Sequence, residues 1–198
     1  MTGGCFRLHP ACLDANAQEE LVSTVLGAAG GAPFYRPFTP GGQAMSVEMT
    51  NLGALGWVTD ARGYRYEPAH PLTGRAWPAI PSQLVALWEA VAPGAPLPDA
   101  CLVNLYRGEA RMGLHQDRDE ADFSIPVVSL SLGDTAIFRI GGRDRRAPTR
   151  SIRLASGDVC VLAGEARLAF HGVDRILPGS SRLIPGGGRI NLTLRRAR

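Results

Sequence analysis

The chain contains no lysine, so all 21 of its basic side chains are arginines. A GC-rich genome gives the same bias, so residue type alone assigns no arginine to an anion. No apolar run approaches the roughly 18–20 residues that a membrane span needs. The opening MTGGCFRLHPACLDA lacks the basic start and long apolar stretch of a secretory leader, and a cytoplasmic protein is expected. The four cysteines, Cys5, Cys12, Cys101 and Cys160, form no C-x-x-C pair and have no zinc-like spacing to histidine. Buried free thiols are expected of them in a reducing compartment. No internal repeat or low-complexity tract occurs. Histidine is scarce, with only His9, His70, His115 and His171.

What remains is the composition of an ordinary globular protein, long enough at 198 residues for one well-packed domain. The charge is uneven. Residues 1–100 carry a net −3 and residues 101–198 a net +6, so the second half suits a polyanionic partner. Residues 17–29 read as a helix. Residues 82–92 do so more clearly, with Leu84, Leu87, Trp88 and Val91 on one face and Ser82 placed to cap the start. From residue 100 the pattern changes to short Val/Ile/Leu-rich strands at 101–106, 125–132, 135–140, 150–154, 158–163 and 189–195. A hairpin is expected within 45–66, turning at Arg62-Gly63. The expected fold class is α+β: the second half reads as a β-sandwich or jelly roll, with helices supplied by the first half.

Leu114-His115-Gln116-Asp117 contains H-x-D. In extended backbone, residues i and i+2 share a side, so an imidazole and a carboxylate converge. His171, far downstream in Ala169-Phe170-His171-Gly172, supplies a third ligand. Two histidines and one carboxylate on one face of iron(II) leave positions open for a co-substrate and O₂, as a structural zinc site does not. By itself, H-x-D with a distant histidine also suits hydrogen-bonded core or surface residues. The last strand adds weight: Ile190, Leu192 and Leu194 alternate with Arg189, Asn191, Thr193 and Arg195. Pointed inward, the arginines need an anion, and the dicarboxylate 2-oxoglutarate provides one. Pointed outward, they would be the wet face of an edge strand.

The run Asn104-Leu105-Tyr106, then Leu114-His115-Gln116-Asp117-Arg118-Asp119-Glu120, the distant His171, and Arg189-Ile190-Asn191-Leu192-Thr193-Leu194-Arg195 strongly resembles the AlkB family of nucleic-acid dealkylases. Met49-Thr50-Asn51, Gly56-Trp57 and Gly63-Tyr64-Arg65-Tyr66 resemble its substrate-binding region, and the likeness runs from about residue 45 to 195. It implies one double-stranded β-helix domain over 1–198: an N-terminal extension at about 1–44, a nucleotide-recognition lid at about 45–80 and a core at about 100–195. It implies Fe(II) on His115, Asp117 and His171, which are then the catalytic centre. It implies 2-oxoglutarate on Asn104, Tyr106, Arg189, Asn191 and Arg195, with O₂ as second co-substrate. Trp57, Tyr64, Tyr66, Asp119 and Arg145 would contact the damaged nucleotide, although Arg143 and Arg146 compete for the place given to Arg145. The implied reaction is oxidative dealkylation of bases such as 1-methyladenine and 3-methylcytosine in single- or double-stranded DNA, or RNA. Succinate, CO₂ and an aldehyde would be released by a monomeric enzyme away from membranes. Two other readings fit the residues. One is an iron/2-oxoglutarate hydroxylase of a protein or small molecule, and the other a non-catalytic β-barrel that binds nucleic acid.

Overall fold

A computed structural model describes residues 5–198. In chain order the elements are β1 (Cys5–His9), α1 (Ala15–Ala28), β2 (Glu48–Gly53), β3 (Gly56–Asp60), β4 (Gly63–Glu67), α2 (Ser82–Val91), β5 (Ala100–Tyr106), β6 (Met112–His115), β7 (Val127–Gly133), β8 (Ala136–Ile140), β9 (Arg150–Leu154), β10 (Val159–Ala163), a short 3-10 helix (Gly164–Leu168), β11 (His171–Ile176) and β12 (Arg189–Arg195). Six strands form a large sheet in the order β1-β10-β7-β12-β5-β2, and four form a smaller one, β6-β11-β8-β9. The two are the halves of a jelly roll, and β3-β4 stands apart as a hairpin. Among the described residues no helix is long and apolar enough to cross a membrane.

Side-chain alternation builds two core layers, since successive residues of a strand face opposite ways. On one side, Leu21, Val22 and Val25 of α1 and Leu84, Trp88 and Val91 of α2 pack on Cys101, Val103, Leu105, Ile190, Leu192 and Leu194. The other face of the large sheet joins the small sheet through Leu102, Tyr106, Cys160 and Leu162 with Phe138, Ile140, Val173 and Ile176. Every residue of β12 is buried, so Arg189, Asn191, Thr193 and Arg195 are not the wet face of an edge strand.

The expected helices and the six expected strands are present, but four details differ. Ser82 is the first residue of α2 and makes no capping bond. Pro81 is the N-cap, with Leu84 N bonding its carbonyl at 2.9 Å. The hairpin is shorter than the 45–66 expected: β2 lies at the edge of the large sheet beside β5, and the hairpin runs from β3 to β4 with Ala61-Arg62 at its tip. Strand β1 pairs with β10, so part of the N-terminal stretch belongs to the large sheet. Cys101 and Cys160 are buried free thiols, whereas Cys12, also free, is exposed; the placement of the Cys5 side chain lies outside the described residues.

Candidate metal centre and its surroundings

Strands β6 and β11 pair antiparallel with His115 directly opposite His171, so residues far apart in sequence become cross-strand neighbours. Their ring centroids lie 4.5 Å apart. Each Nδ1 donates to the carbonyl two residues back, His115 to Gly113 and His171 to Ala169, both at 2.9 Å. A carbonyl only accepts, so each Nδ1 carries the proton and each Nε2 presents a lone pair. Both lone pairs face Asp117: His115 Nε2 lies 3.7 Å from Oδ1 and His171 Nε2 lies 3.6 Å from Oδ2. The ligand atoms all fall within 4.8 Å of one another. That spacing would let His115, Asp117 and His171 together hold one ion. Asp117 and His171 are buried while His115 is half-buried, which leaves one open side. Gly172 makes this approach possible: a Cβ there would lie 2.5 Å from Met112 O and 2.8 Å from Gly113 O on β6.

The charge states suit a cation. Burial opposes ionisation of Asp117, but Arg195, His171, His115 and Arg167 together outweigh it and hold the carboxyl well below its usual range. Burial, aided by His115, pushes His171 down to about 4, so its imidazole is neutral at physiological pH. Arg195 Nη2 bonds Asp117 Oδ1 at 2.8 Å. The carboxylate is thus fixed before any metal arrives.

Beside the triad lies the polar face of β12. Register places Arg189 next to Tyr106 and Asn191 next to Asn104. Arg189, 1% exposed, bonds only neutral oxygens: Ser131 Oγ at 2.7 Å, Leu154 O at 3.3 Å and Asp134 O at 3.4 Å. Its Nε is buried without a partner, and burial lowers its pKa. A guanidinium in that state lacks an anion, and one carboxylate of 2-oxoglutarate matches it in charge and shape. Asn104 Oδ1 is also buried without a partner, an acceptor that needs a donor and not a carboxylate. Burial raises the Tyr106 pKa to about 12, so its hydroxyl remains a donor. Asn191 is more occupied, donating to Ser129 Oγ and Leu130 O and accepting from Thr193. Arg195 is held by Asp117, with only its Nε free of partners.

The β3-β4 hairpin brings the aromatic residues toward the centre. Trp57 and Tyr64 stack with centroids 5.5 Å apart and planes 17° apart, and Tyr64 is 51% exposed. Asn51 holds Trp57 through both backbone groups, accepting from its N–H and donating to its carbonyl. Trp57 Nε1 donates to Asp119 Oδ2 at 2.7 Å, so the hairpin reaches the segment that carries Asp117. Tyr66 differs from Tyr64. Its ring is buried with Leu55, Ala100 and Ala197, leaving no open face, and its hydroxyl bonds Glu120. Of the three competing arginines, Arg145 lies over Phe170, the residue before His171, at 5.8 Å. Arg143 faces a cleft near Phe6, and Arg146 pairs with Asp144.

Arg167 had no sequence signal, and Glu120, although it closes the Leu114–Glu120 motif, had no role assigned to it. Arg167, 2% exposed, donates to Asp117 O, Ile125 O and Glu120. Glu120 itself is 5% exposed. Neither strand alternation nor a charge run marks a buried ion pair; only the unusual cost of burying a charge does, and that appears only once the fold is known.

Fold and site define the class, a mononuclear iron(II)/2-oxoglutarate oxygenase: residues 5–195 match the family model described as the 2OG-Fe(II) oxygenase superfamily. The Alpha-ketoglutarate-dependent dioxygenase AlkB homolog of Caulobacter vibrioides is 65% identical over 193 residues, covering 98% of this chain and 88% of that protein. Alpha-ketoglutarate-dependent dioxygenase AlkB of Escherichia coli K12 is 45% identical over 186 residues, covering 92% and 86%. The solved structure of OsALKBH1 superposes with a TM-score of 0.85 at 32% identity, over 99% of this chain and 98% of that one. The chain belongs to the AlkB family of these oxygenases. It is an enzyme whose cofactor is Fe(II), with 2-oxoglutarate and O₂ as co-substrates, and the His-Asp-His cluster fits that ion.

Proposed function

We propose that this enzyme oxidatively dealkylates N-alkylated nucleic-acid bases, such as 1-methyladenine and 3-methylcytosine, in single- or double-stranded DNA or in RNA. One observation carries the reading. A stacked aromatic pair, Trp57 and Tyr64, touches Asp119, which lies two residues from the metal carboxylate Asp117. A base drawn out of its strand stacks on such rings with roughly 1–3 kcal/mol per base. Asp119 attracts a base that alkylation has made cationic and has no such hold on the neutral base. Arg145, beside Phe170, takes a phosphate or a base edge at the same rim.

His115, Asp117 and His171 hold the iron. Arg189 and the Tyr106 hydroxyl donate to one carboxylate of 2-oxoglutarate, Asn104 contacts the co-substrate through its amide NH₂, Asn191 lies beside it, and Arg195 holds Asp117. With O₂, the bound iron and 2-oxoglutarate supply oxidation of the N-alkyl carbon, leaving succinate, CO₂ and an aldehyde. The chain's own contribution is orientation, charge and exclusion of water. We read the chain as one domain, with the β3-β4 hairpin as lid over the jelly-roll core. We read the enzyme as a monomer. The free thiols Cys12, Cys101 and Cys160 support a reducing, cytoplasmic setting.

The test is mass spectrometry of a methylated oligonucleotide incubated with enzyme, iron(II), 2-oxoglutarate and ascorbate, each omitted in turn. Loss of the methyl mass only in the complete mixture supports the proposal. Succinate formed without any change in any methylated DNA or RNA would point to a protein or small-molecule hydroxylase.

A further inference from the structure

We infer that Arg167 and Glu120 are positioning residues that fix the iron carboxylate and, through Tyr66, fasten it to the β3-β4 hairpin. The inference rests on the metal-site and lid readings above. Asp117 lies just beyond the end of β6, at the start of the irregular stretch that leads to β7 at Val127. Outside a ladder, a buried backbone group must find its partner elsewhere, in a loop, a side chain or water. Arg167 is that partner at both ends of the stretch: Nη1 donates to Asp117 O at 2.6 Å and Nε to Ile125 O at 2.9 Å. Between them, its Nη2 donates to Glu120 Oε2 at 2.9 Å, with the two side chains 2% and 1% exposed. One guanidinium therefore pins the peptide of the metal ligand, the middle of its loop and the far end.

Glu120 extends the link. Its other oxygen accepts from the Tyr66 hydroxyl, and that hydroxyl accepts from Arg195 Nη1 at 3.3 Å. Arg195 in turn donates to Asp117 Oδ1. A closed ring of contacts thus runs from the Asp117 carbonyl through Arg167, Glu120, Tyr66 and Arg195 back to the Asp117 carboxylate. Two carboxylates and two guanidiniums make it neutral. A buried ion pair contributes little net stability compared with apolar packing, so its value lies in fixing one arrangement. Tyr66 belongs to the hairpin, so the lid and the metal ligand share this ring. Partners that orient a metal ligand typically change metal affinity about 10–100-fold when removed.

The experiment is a Mn(II) titration by calorimetry on full-length protein without nucleic acid, paired with thermal unfolding of the metal-free form. The variants are Glu120→Gln, Tyr66→Phe, Arg167→Met and Arg167→Lys, with Leu84→Ala in the helix-side core as a control for lost stability. Expected are a Mn(II) affinity about tenfold or more weaker in Arg167→Met and Glu120→Gln, partial recovery in Arg167→Lys, and a smaller loss in Tyr66→Phe. Leu84→Ala should melt lower yet bind Mn(II) as the unaltered protein does. Mn(II) affinity within twofold of the unaltered protein in Glu120→Gln and Tyr66→Phe overturns the inference, as does an equal loss in Leu84→Ala. If Arg167→Met does not fold, the Glu120 and Tyr66 variants decide alone. A wild-type protein that binds no Mn(II) defeats the metal-site reading instead, which keeps the two failures distinct.

Discussion

Replacing Arg189 by methionine should separate affinity from stability. The guanidinium is buried and bonds only neutral oxygens. Burying an unpaired charge costs several kcal/mol, which the variant recovers. Against this stand three lost bonds from the charged guanidinium to neutral oxygens, at about 1.5 kcal/mol each, the low end for a charged donor because two of them are 3.3 and 3.4 Å long. The metal-free variant should therefore keep its stability within about 2 kcal/mol, or about 4–8 °C for a chain of this size. Deleting a buried leucine, by comparison, costs about 3–5 kcal/mol. Binding should respond very differently. Two bonds from a guanidinium to a carboxylate contribute about 3–6 kcal/mol. Their loss weakens 2-oxoglutarate binding roughly 10²–10⁴-fold at 1.4 kcal/mol per factor of ten. The assay is thermal unfolding with Mn(II), with and without 2-oxoglutarate at about 100 times the wild-type Kd. Wild type should gain about 2.7 kcal/mol, or about 5–11 °C, and Arg189→Met at most about 0.4 kcal/mol, or about 2 °C. A variant that keeps the 2-oxoglutarate shift, or whose affinity by calorimetry stays within threefold, refutes the role given to Arg189.

Four further outcomes follow from the same geometry. Asp117→Ala should fold but release no succinate and no aldehyde, since Arg195 then faces no carboxylate and the ion loses a ligand; retained 2-oxoglutarate-dependent demethylation would remove the triad from the mechanism. Gly172→Ala should weaken Mn(II) binding, because its Cβ would press on Met112 O and Gly113 O and move β6, with His115, off its partner; unchanged calorimetric affinity would show that β6 relaxes without moving the ligand. Trp57→Ala should raise KM for a methylated oligonucleotide by roughly 5–150-fold, the equivalent of about 1–3 kcal/mol of stacking, while 2-oxoglutarate turnover without nucleic acid is unchanged; an unaltered KM counts against the hairpin as base platform. In alkali, Tyr35, Tyr66 and Tyr106 are held above the ordinary tyrosine pKa of 10, chiefly by burial. Above pH 10 the unfolded chain loses these protons first, so stability should fall as pH rises toward about 12. Most phenolate absorbance should then appear together with loss of far-ultraviolet circular dichroism, and phenolate forming near pH 10 in a folded chain would contradict that burial.

Local pattern carried much of this molecule. The alternation of Arg189–Arg195 specified a strand with one polar face, because a period of two has one cause in extended backbone. The apolar stripe from Leu84 to Val91 specified a helix for the same kind of reason. His115 and Asp117 were legible as a pair because two residues apart is a short, local geometry. The strands that bear the histidines, β6 and β11, had no such signature. They are short, mix glycine and charge with apolar residues, and draw their order from pairing with each other and with β8.

What the sequence determined by itself was therefore the inventory: a β-rich second half, two helices, three candidate ligands and a strand with its arginines on one face. The tertiary structure alone decided the partnerships. It set His171 opposite His115 in register, left Arg189 without an anion while giving Arg195 to Asp117, and buried Tyr66 while exposing Tyr64. It also placed Arg167 beneath the ligand loop, 50 residues from Asp117 along the chain. The physical reason is that burial and Coulomb interactions depend on distance through space. A sequence reports that distance only for neighbours along the chain, and each of these pairings joins residues remote from one another.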